Sequence, residues 1–239
     1  MPFADNLARV QEQIAAACRR AGRSDRDVAL MAVSKMHPAA AMREAYAAGV
    51  RLFGENRVQE WQQKRAELGE IPGAEVHLIG PLQSNKTNKA AEIFDRIDTV
   101  DSVKIAARLE AAAHSLGIKL PVLIEVKLSH EESKHGIAPD GLPALLEAMR
   151  AQEGLVPSGL MTVPPWSEDG ETARPYFREL RRLRDASLRT CPTLTGLSMG
   201  MSNDFAAAIE EGSTCVRIGT ALFGLRRYAE SIGMAREDK

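Results

Sequence analysis

The chain has 239 residues, a formal net charge of -1 and 44% hydrophobic residues, enough for one large α/β domain or two small ones with an ample core. Its 31 basic and 32 acidic residues nearly balance, and only 5% are aromatic. That excludes an electrostatic case for nucleic acid or an anionic membrane, and leaves little for a base-stacking surface.

No apolar run approaches the roughly 18 residues of a spanning helix. The N-terminal MPFADNLARV has no basic region followed by an apolar stretch, so no signal peptide is expected. Cys18, Cys191 and Cys215 are scattered, odd in number and without CxxC spacing. They predict free thiols and a cytoplasmic location.

In chain order, Phe3, Leu7, Val10, Ile14, Cys18 and Ala21 recur at steps of three and four. This is the apolar face of an opening helix within 1–22, ending near Gly22. Strand-like runs then alternate with helical stretches. Strands are predicted at 28–33, 50–53, 76–79, 97–100, 121–126, 158–163, 195–199 and 216–218. Helices are predicted between them at 39–48, 58–68, 86–94, 103–116, 142–152, 172–187 and 205–211. The strands read as apolar on both faces, as parallel strands covered by helices should be. About eight strands in a chain of this size predict an α/β fold, a single (β/α)8 TIM barrel over 28–224, with 225–239 as a charged tail. A doubly wound open sheet remains the structural alternative. The stretch 162–170, with Pro164, Pro165 and Trp166, reads as a loop after the sixth strand rather than a domain boundary.

Chemistry in such a barrel sits where strands lead into helices. The first strand ends in Ser34-Lys35, with Pro38 close behind. An ammonium at the mouth of a buried strand is costly to desolvate. A lysine whose pKa is lowered that way forms Schiff bases with aldehydes; a lysine snorkelling out of a strand end is the plainer reading. Strand two ends in Gly54-Glu55-Asn56-Arg57, with Glu55 read as a turn residue, and strand five runs into Lys127. Strand seven ends in Ser198-Met-Gly-Met-Ser202-Asn-Asp204, and the last strand is Val216-Arg-Ile-Gly-Thr220. Ser202, Asn203 and Asp204 precede an apolar helical stretch and can cap it. Together with the Gly219-Thr220 backbone and hydroxyl they suggest a phosphate site, since barrels often hold phosphate on these two loops. Arg217 lies inside an apolar strand and needs a partner, either a carboxylate or an acceptor nitrogen of a ligand ring. A phosphate-bearing ring with an aldehyde for Lys35 and an acceptor for Arg217 describes pyridoxal 5'-phosphate. His77 reads either as a ring contact or as a satisfied core histidine. The five histidines show no metal-ligand spacing.

Several segments together resemble the pyridoxal phosphate homeostasis proteins, the YggS/PROSC-type family. They are Ala32-Val-Ser-Lys35, Phe53-Gly-Glu-Asn56, His77-Leu-Ile-Gly-Pro-Leu-Gln-Ser-Asn-Lys86, Gly159-Leu-Met-Thr162, Leu197-Ser-Met-Gly-Met-Ser202 and Val216-Arg-Ile-Gly-Thr220. The resemblance runs from Val28 to Gly224. It implies a barrel like the N-terminal domain of alanine racemase (fold type III), here with an extra N-terminal helix. It implies pyridoxal 5'-phosphate held as an internal aldimine on Lys35. Phosphate contacts would come from Ser202, Gly219 and Thr220, and Arg217 would lie near the pyridine nitrogen. Asn56 and Ile79 would line the ring, with His77 and Ser198 also counted as cofactor-binding. A role for Lys134 in the loop 129–136 is left open.

The implied function is intracellular vitamin B6 homeostasis without an established reaction, so no catalytic residue and no metal are assigned. A carrier is favoured over an enzyme because Arg217 would leave the pyridine nitrogen neutral, making the ring a poor electron sink. Tyr46, Tyr176 and Tyr228 are not placed by sequence to act as a second acid/base. With the chain expected to stop soon after the eighth strand, the mouth would open to solvent. The expected partners are the cofactor and cofactor-accepting apo-enzymes, with no nucleic acid or membrane, and the protein is expected to be a monomer. The alternatives are a racemase-like enzyme using the same cofactor, and a barrel enzyme whose Lys35 condenses with a phosphorylated sugar or keto acid.

Overall fold

The computed structural model describes residues 2–129, 131, 135–167 and 169–224. Lys134, Tyr228 and the tail 225–239, all named above, lie outside the described residues. Eight parallel strands close in sequential order into a barrel: β1 (Ala29–Val33), β2 (Leu52–Glu55), β3 (Glu75–Leu78), β4 (Arg96–Val100), β5 (Leu120–Glu125), β6 (Leu155–Met161), β7 (Gly196–Ser198) and β8 (Cys215–Ile218). The ring is completed by β1 pairing with β8, from Ala29 opposite Cys215 to Ala32 opposite Ile218. The open-sheet alternative is thereby removed. The α-helices are α1 (Phe3–Arg20), α2 (Ala39–Ala47), α3 (Val58–Leu68), α4 (Thr87–Ile93), α5 (Val103–Leu116), α6 (Leu142–Arg150), α7 (Gly170–Ser187), α8 (Phe205–Glu210) and α9 (Thr220–Phe223).

The opening helix forms because its apolar residues share one face: Phe3, Leu7, Val10, Ile14 and Cys18 are all buried. Each such side chain contributes roughly 1.5–3 kcal/mol on burial. The helix packs on α8 and α9. Phe3 meets Phe223 with ring centroids 5.1 Å apart, and Asn6 Nδ2 donates to Leu222 O at 2.9 Å. It thus buttresses the β8–α9 segment that carries the last cavity loop.

The main core lies between the barrel and its helices, and holds the outward residues of the strands, such as Val76, Leu78, Val122, Ile124, Val216 and Ile218. The other face differs from the expectation of strands apolar on both sides. His77, Asp98, Glu125, Ser198 and Arg217 are buried polar residues at alternating positions of their strands, which places them inside the barrel. Ser198 and Arg217 are tolerated there because they bind each other, and Arg217 binds backbone carbonyls as well. Arg96 Nε and Nη2 hold the Asp98 carboxylate at 2.7 and 3.1 Å. Burial alone would push that carboxyl up, but His77 and Arg96 outweigh it and hold it below the usual carboxylate range.

Candidate functional site

A cavity of about 580 Å³ opens at the end of the barrel where strands lead into helices. Of the nine residues expected at a site, seven line it: Lys35, Asn56, Ile79, Ser202, Arg217, Gly219 and Thr220.

Lys35 follows β1 by two residues and is half-buried. The next residue, Met36, has φ 62°, in the left-handed region. That conformation is unfavourable for a side chain with a Cβ and is held by its surroundings. Asn56 follows β2; its Oδ1 is buried and has no hydrogen-bond partner among the described residues. Gly80 follows Ile79 at the end of β3. A Cβ on it would lie 2.3 Å from Asn56 O, so only glycine lets these two loops approach so closely.

Arg217 on β8 crosses the interior. Its Nη1 donates to Ser198 O at 2.7 Å and Ser198 Oγ at 2.8 Å, and its Nη2 donates to Thr162 O at 2.9 Å. No carboxylate lies within ion-pair distance of it among the described residues. Burial pushes the guanidinium below its ordinary value, while the Asp98, Glu125 and Asp204 carboxyls act in the opposite direction. Arginine stays charged in such a setting. Those three bonds use three of its five N–H donors.

Gly200 has φ 97°, and a Cβ there would lie 2.6 Å from the Ala208 side chain. Glycine at this position lets the β7–α8 loop turn tightly and bring Ser202 beside the β8–α9 turn, where Ser202 Oγ accepts from Ala221 N at 3.4 Å. The capping expectation is corrected here: Asp204 is the N-cap residue of α8 but makes no side-chain cap bond. Its Oδ1 instead accepts from Met201 N at 2.5 Å, pinning the loop. Burial pushes its carboxyl up, partly offset by that backbone bond and by Arg217. A carboxyl inclined to neutrality repels an anion less.

Two expected residues are not among the lining. Ser198 sits one layer below the mouth and fixes Arg217. His77 lies inside the barrel, with Nε2 3.3 Å from Glu75 Oε2 and Nδ1 3.7 Å from Asp98 Oδ2. Sequence reasoning also missed cavity residues. Glu125, His37, His135 and Trp166 all line the mouth. The strand-five residue facing it is Glu125 rather than Lys127, which borders a separate hollow with Ser129 and Tyr176. Glu55, read as a turn residue, is wholly buried at the end of β2. Ser34 Oγ donates to its Oε1 at 2.7 Å, and Lys64 Nζ at 2.5 Å.

The family described as alanine racemase, N-terminal domain, matches residues 6–227, which span the whole barrel. The alanine racemase of Corynebacterium glutamicum shares the fold at 18% identity, with a TM-score of 0.65 over 93% of this chain and 61% of that one. A pyridoxal phosphate homeostasis protein of Pseudomonas aeruginosa is 48% identical over 227 residues, 95% of this chain and 96% of that protein. PipY of Synechococcus elongatus, solved with PLP bound, is 42% identical, with a TM-score of 0.83 over 93% of this chain and 100% of that one. The chain belongs to the pyridoxal phosphate homeostasis protein family.

Proposed function

We propose that this chain holds pyridoxal 5'-phosphate at the mouth of its barrel, linked to the Lys35 amine, and serves vitamin B6 homeostasis as a carrier. One observation carries the reading: an amine after β1, a buried guanidinium on β8 and the hydroxyl and backbone groups after β7 and β8 converge on one cavity. The cofactor's aldehyde, ring nitrogen and phosphate each have a counterpart in that set. Asn56 adds a fit of its own, because a buried acceptor without a partner suits a ring hydroxyl. When bound, the cofactor supplies an aldehyde that an amine can join with loss of water, and a conjugated ring that can accept electrons.

Lys35 provides the amine. Ser202, Gly219 and Thr220 hold the anionic end, and Asn56 and Ile79 border the ring. Arg217 donates toward the ring nitrogen and cannot surrender a proton to it, which leaves the ring a weak electron sink and favours holding over reacting. Ser198 acts at one remove by fixing Arg217, and His77 by packing against Asp98 below the cavity. Tyr46 Oη donates to Pro72 O at 2.9 Å on the outside of the barrel, and Tyr176 borders the separate hollow. Neither is positioned to act across the ring. The carrier reading includes a cytoplasmic location and delivery to apo-enzymes. Among the described residues no helix is long and apolar enough to cross a membrane.

A racemase-like activity is the second reading, favoured by Glu125 and His135, two acid/base side chains on the same cavity. The test is to titrate the purified protein with pyridoxal phosphate, then add alanine and other amino acids in deuterated water. The carrier reading expects a yellow complex without deuterium at Cα at enzyme-like turnover. Rapid incorporation would select the second reading, and no complex at all would defeat both.

A further inference from the structure

Helix α3 carries an unusual lysine. Trp61, Lys64 and Leu68 share the face packed on the barrel, and all three are buried. A lysine is rarely placed there without a specific partner. Lys64 Nζ has three: Ser34 O at 2.9 Å, Glu55 Oε1 at 2.5 Å and Glu60 Oε1 at 3.3 Å. An ammonium has three donors, so all are engaged. Glu55 Oε1 is also bound by Ser34 Oγ. Glu60 Oε1 in turn accepts from Met36 N.

Ser34 O belongs to the peptide group before Lys35, and Met36 N to the peptide group after it. Both flanking peptide groups are therefore tied to one buried ammonium, the first directly and the second through Glu60. Met36 sits at φ 62° in the same segment, a conformation that persists only where neighbours over-determine it. Lys64 does not line the cavity, and its side chain is 5% exposed, so it does not offer itself as a rival amine.

We propose that Lys64 is a positioning residue for Lys35: by fixing the two peptide groups that flank it, Lys64 sets the direction in which the Lys35 amine enters the cavity. The inference rests on the reading that Lys35 joins the cofactor's aldehyde. A buried ion pair of this kind adds little net stability; its contribution is geometric.

The test compares two ligands, pyridoxal 5'-phosphate and pyridoxine 5'-phosphate. The second has the same ring and phosphate but an alcohol where the first has the aldehyde. Lys64→Met combined with Glu55→Gln removes the pair without stranding a buried charge, and circular dichroism checks its fold. Glu60→Ala, at a half-buried position, cuts only the branch to Met36 and serves if the double variant does not fold. Both are expected to weaken uptake of the aldehyde by about tenfold or more, while pyridoxine 5'-phosphate binding stays within about twofold. In the apo-protein, the pH profile of Lys35 reductive methylation is expected to shift in the same variants. If the wild type takes up no pyridoxal phosphate, the functional reading itself fails and this inference with it. If the wild type binds and the variants match it, or if both ligands weaken alike, the inference alone is overturned.

Discussion

Replacing Arg217 with methionine tests both the stability and the ligand side of the site. The guanidinium bonds Ser198 O, Ser198 Oγ and Thr162 O inside the barrel. Its removal strips the donor from Thr162 O, at about 1–3 kcal/mol for a buried carbonyl. Ser198 O fares better, because Thr162 N still donates to it at 3.3 Å. Losing the two Ser198 bonds adds about 1 kcal/mol, and relief of the guanidinium's own desolvation offsets part of the sum. A net loss of about 2 kcal/mol lowers the thermal midpoint of a domain this size by about 4–8 °C. Pyridoxal phosphate loses one charge-assisted bond, and its affinity should fall by about 10–100-fold. Thermal unfolding by circular dichroism and an absorbance titration measure the two effects. Arg217→Lys keeps the charge but not the planar fork, so it should recover only part of either. A methionine variant that melts with the wild type and binds the cofactor equally would refute the reasoning.

Two further outcomes follow from the geometry. Gly80→Ala drives a Cβ to within 2.3 Å of Asn56 O, so the loops after β2 and β3 must part. A stability loss of about 1–3 kcal/mol in urea unfolding should come with weaker cofactor binding, and wild-type behaviour in both would show that the close approach is dispensable. Asp98 is held below its unfolded value, so its contribution is present above a carboxylate's ordinary value of about 3.9 and is lost as pH falls further, through the folded value. Urea midpoints measured from pH 7 to pH 3 should fall less steeply at the acid end for Asp98→Asn than for the wild type; parallel curves would contradict this.

The barrel was largely legible in the sequence because its strands are apolar runs bounded by breakers and alternate with helices; alternation alone also allowed an open sheet, and it is the pairing of β1 with β8 that closes the ring. Boundaries slipped where polar residues are buried. The second strand was read as ending at Phe53, yet it continues through Glu55, because a buried carboxylate looks like a turn residue until its partner is known. That partner, Lys64, lies in a stretch of charged and polar residues that reads as a solvated helix face. Only the packing against β1 and β2 distinguishes it from its neighbours. Alternation could place His77 inside the barrel, but period two says nothing of depth, and the cavity begins one layer higher, at Ile79. The four-residue helix α9 is too short for a periodic signal. Lys35, Arg217 and the loops after β7 and β8 were readable because each sets a charge, or a cluster of glycine and hydroxyl residues, at the end of an apolar strand.

The central claim is that the Lys35 amine takes the cofactor's aldehyde. Its most direct measurement is borohydride trapping of the protein mixed with pyridoxal phosphate, followed by digestion and mass mapping of every lysine peptide. The account predicts the reduced adduct on Lys35, with Lys35→Ala folded but losing the yellow complex. A trapped sample in which Lys35 is unmodified would contradict it.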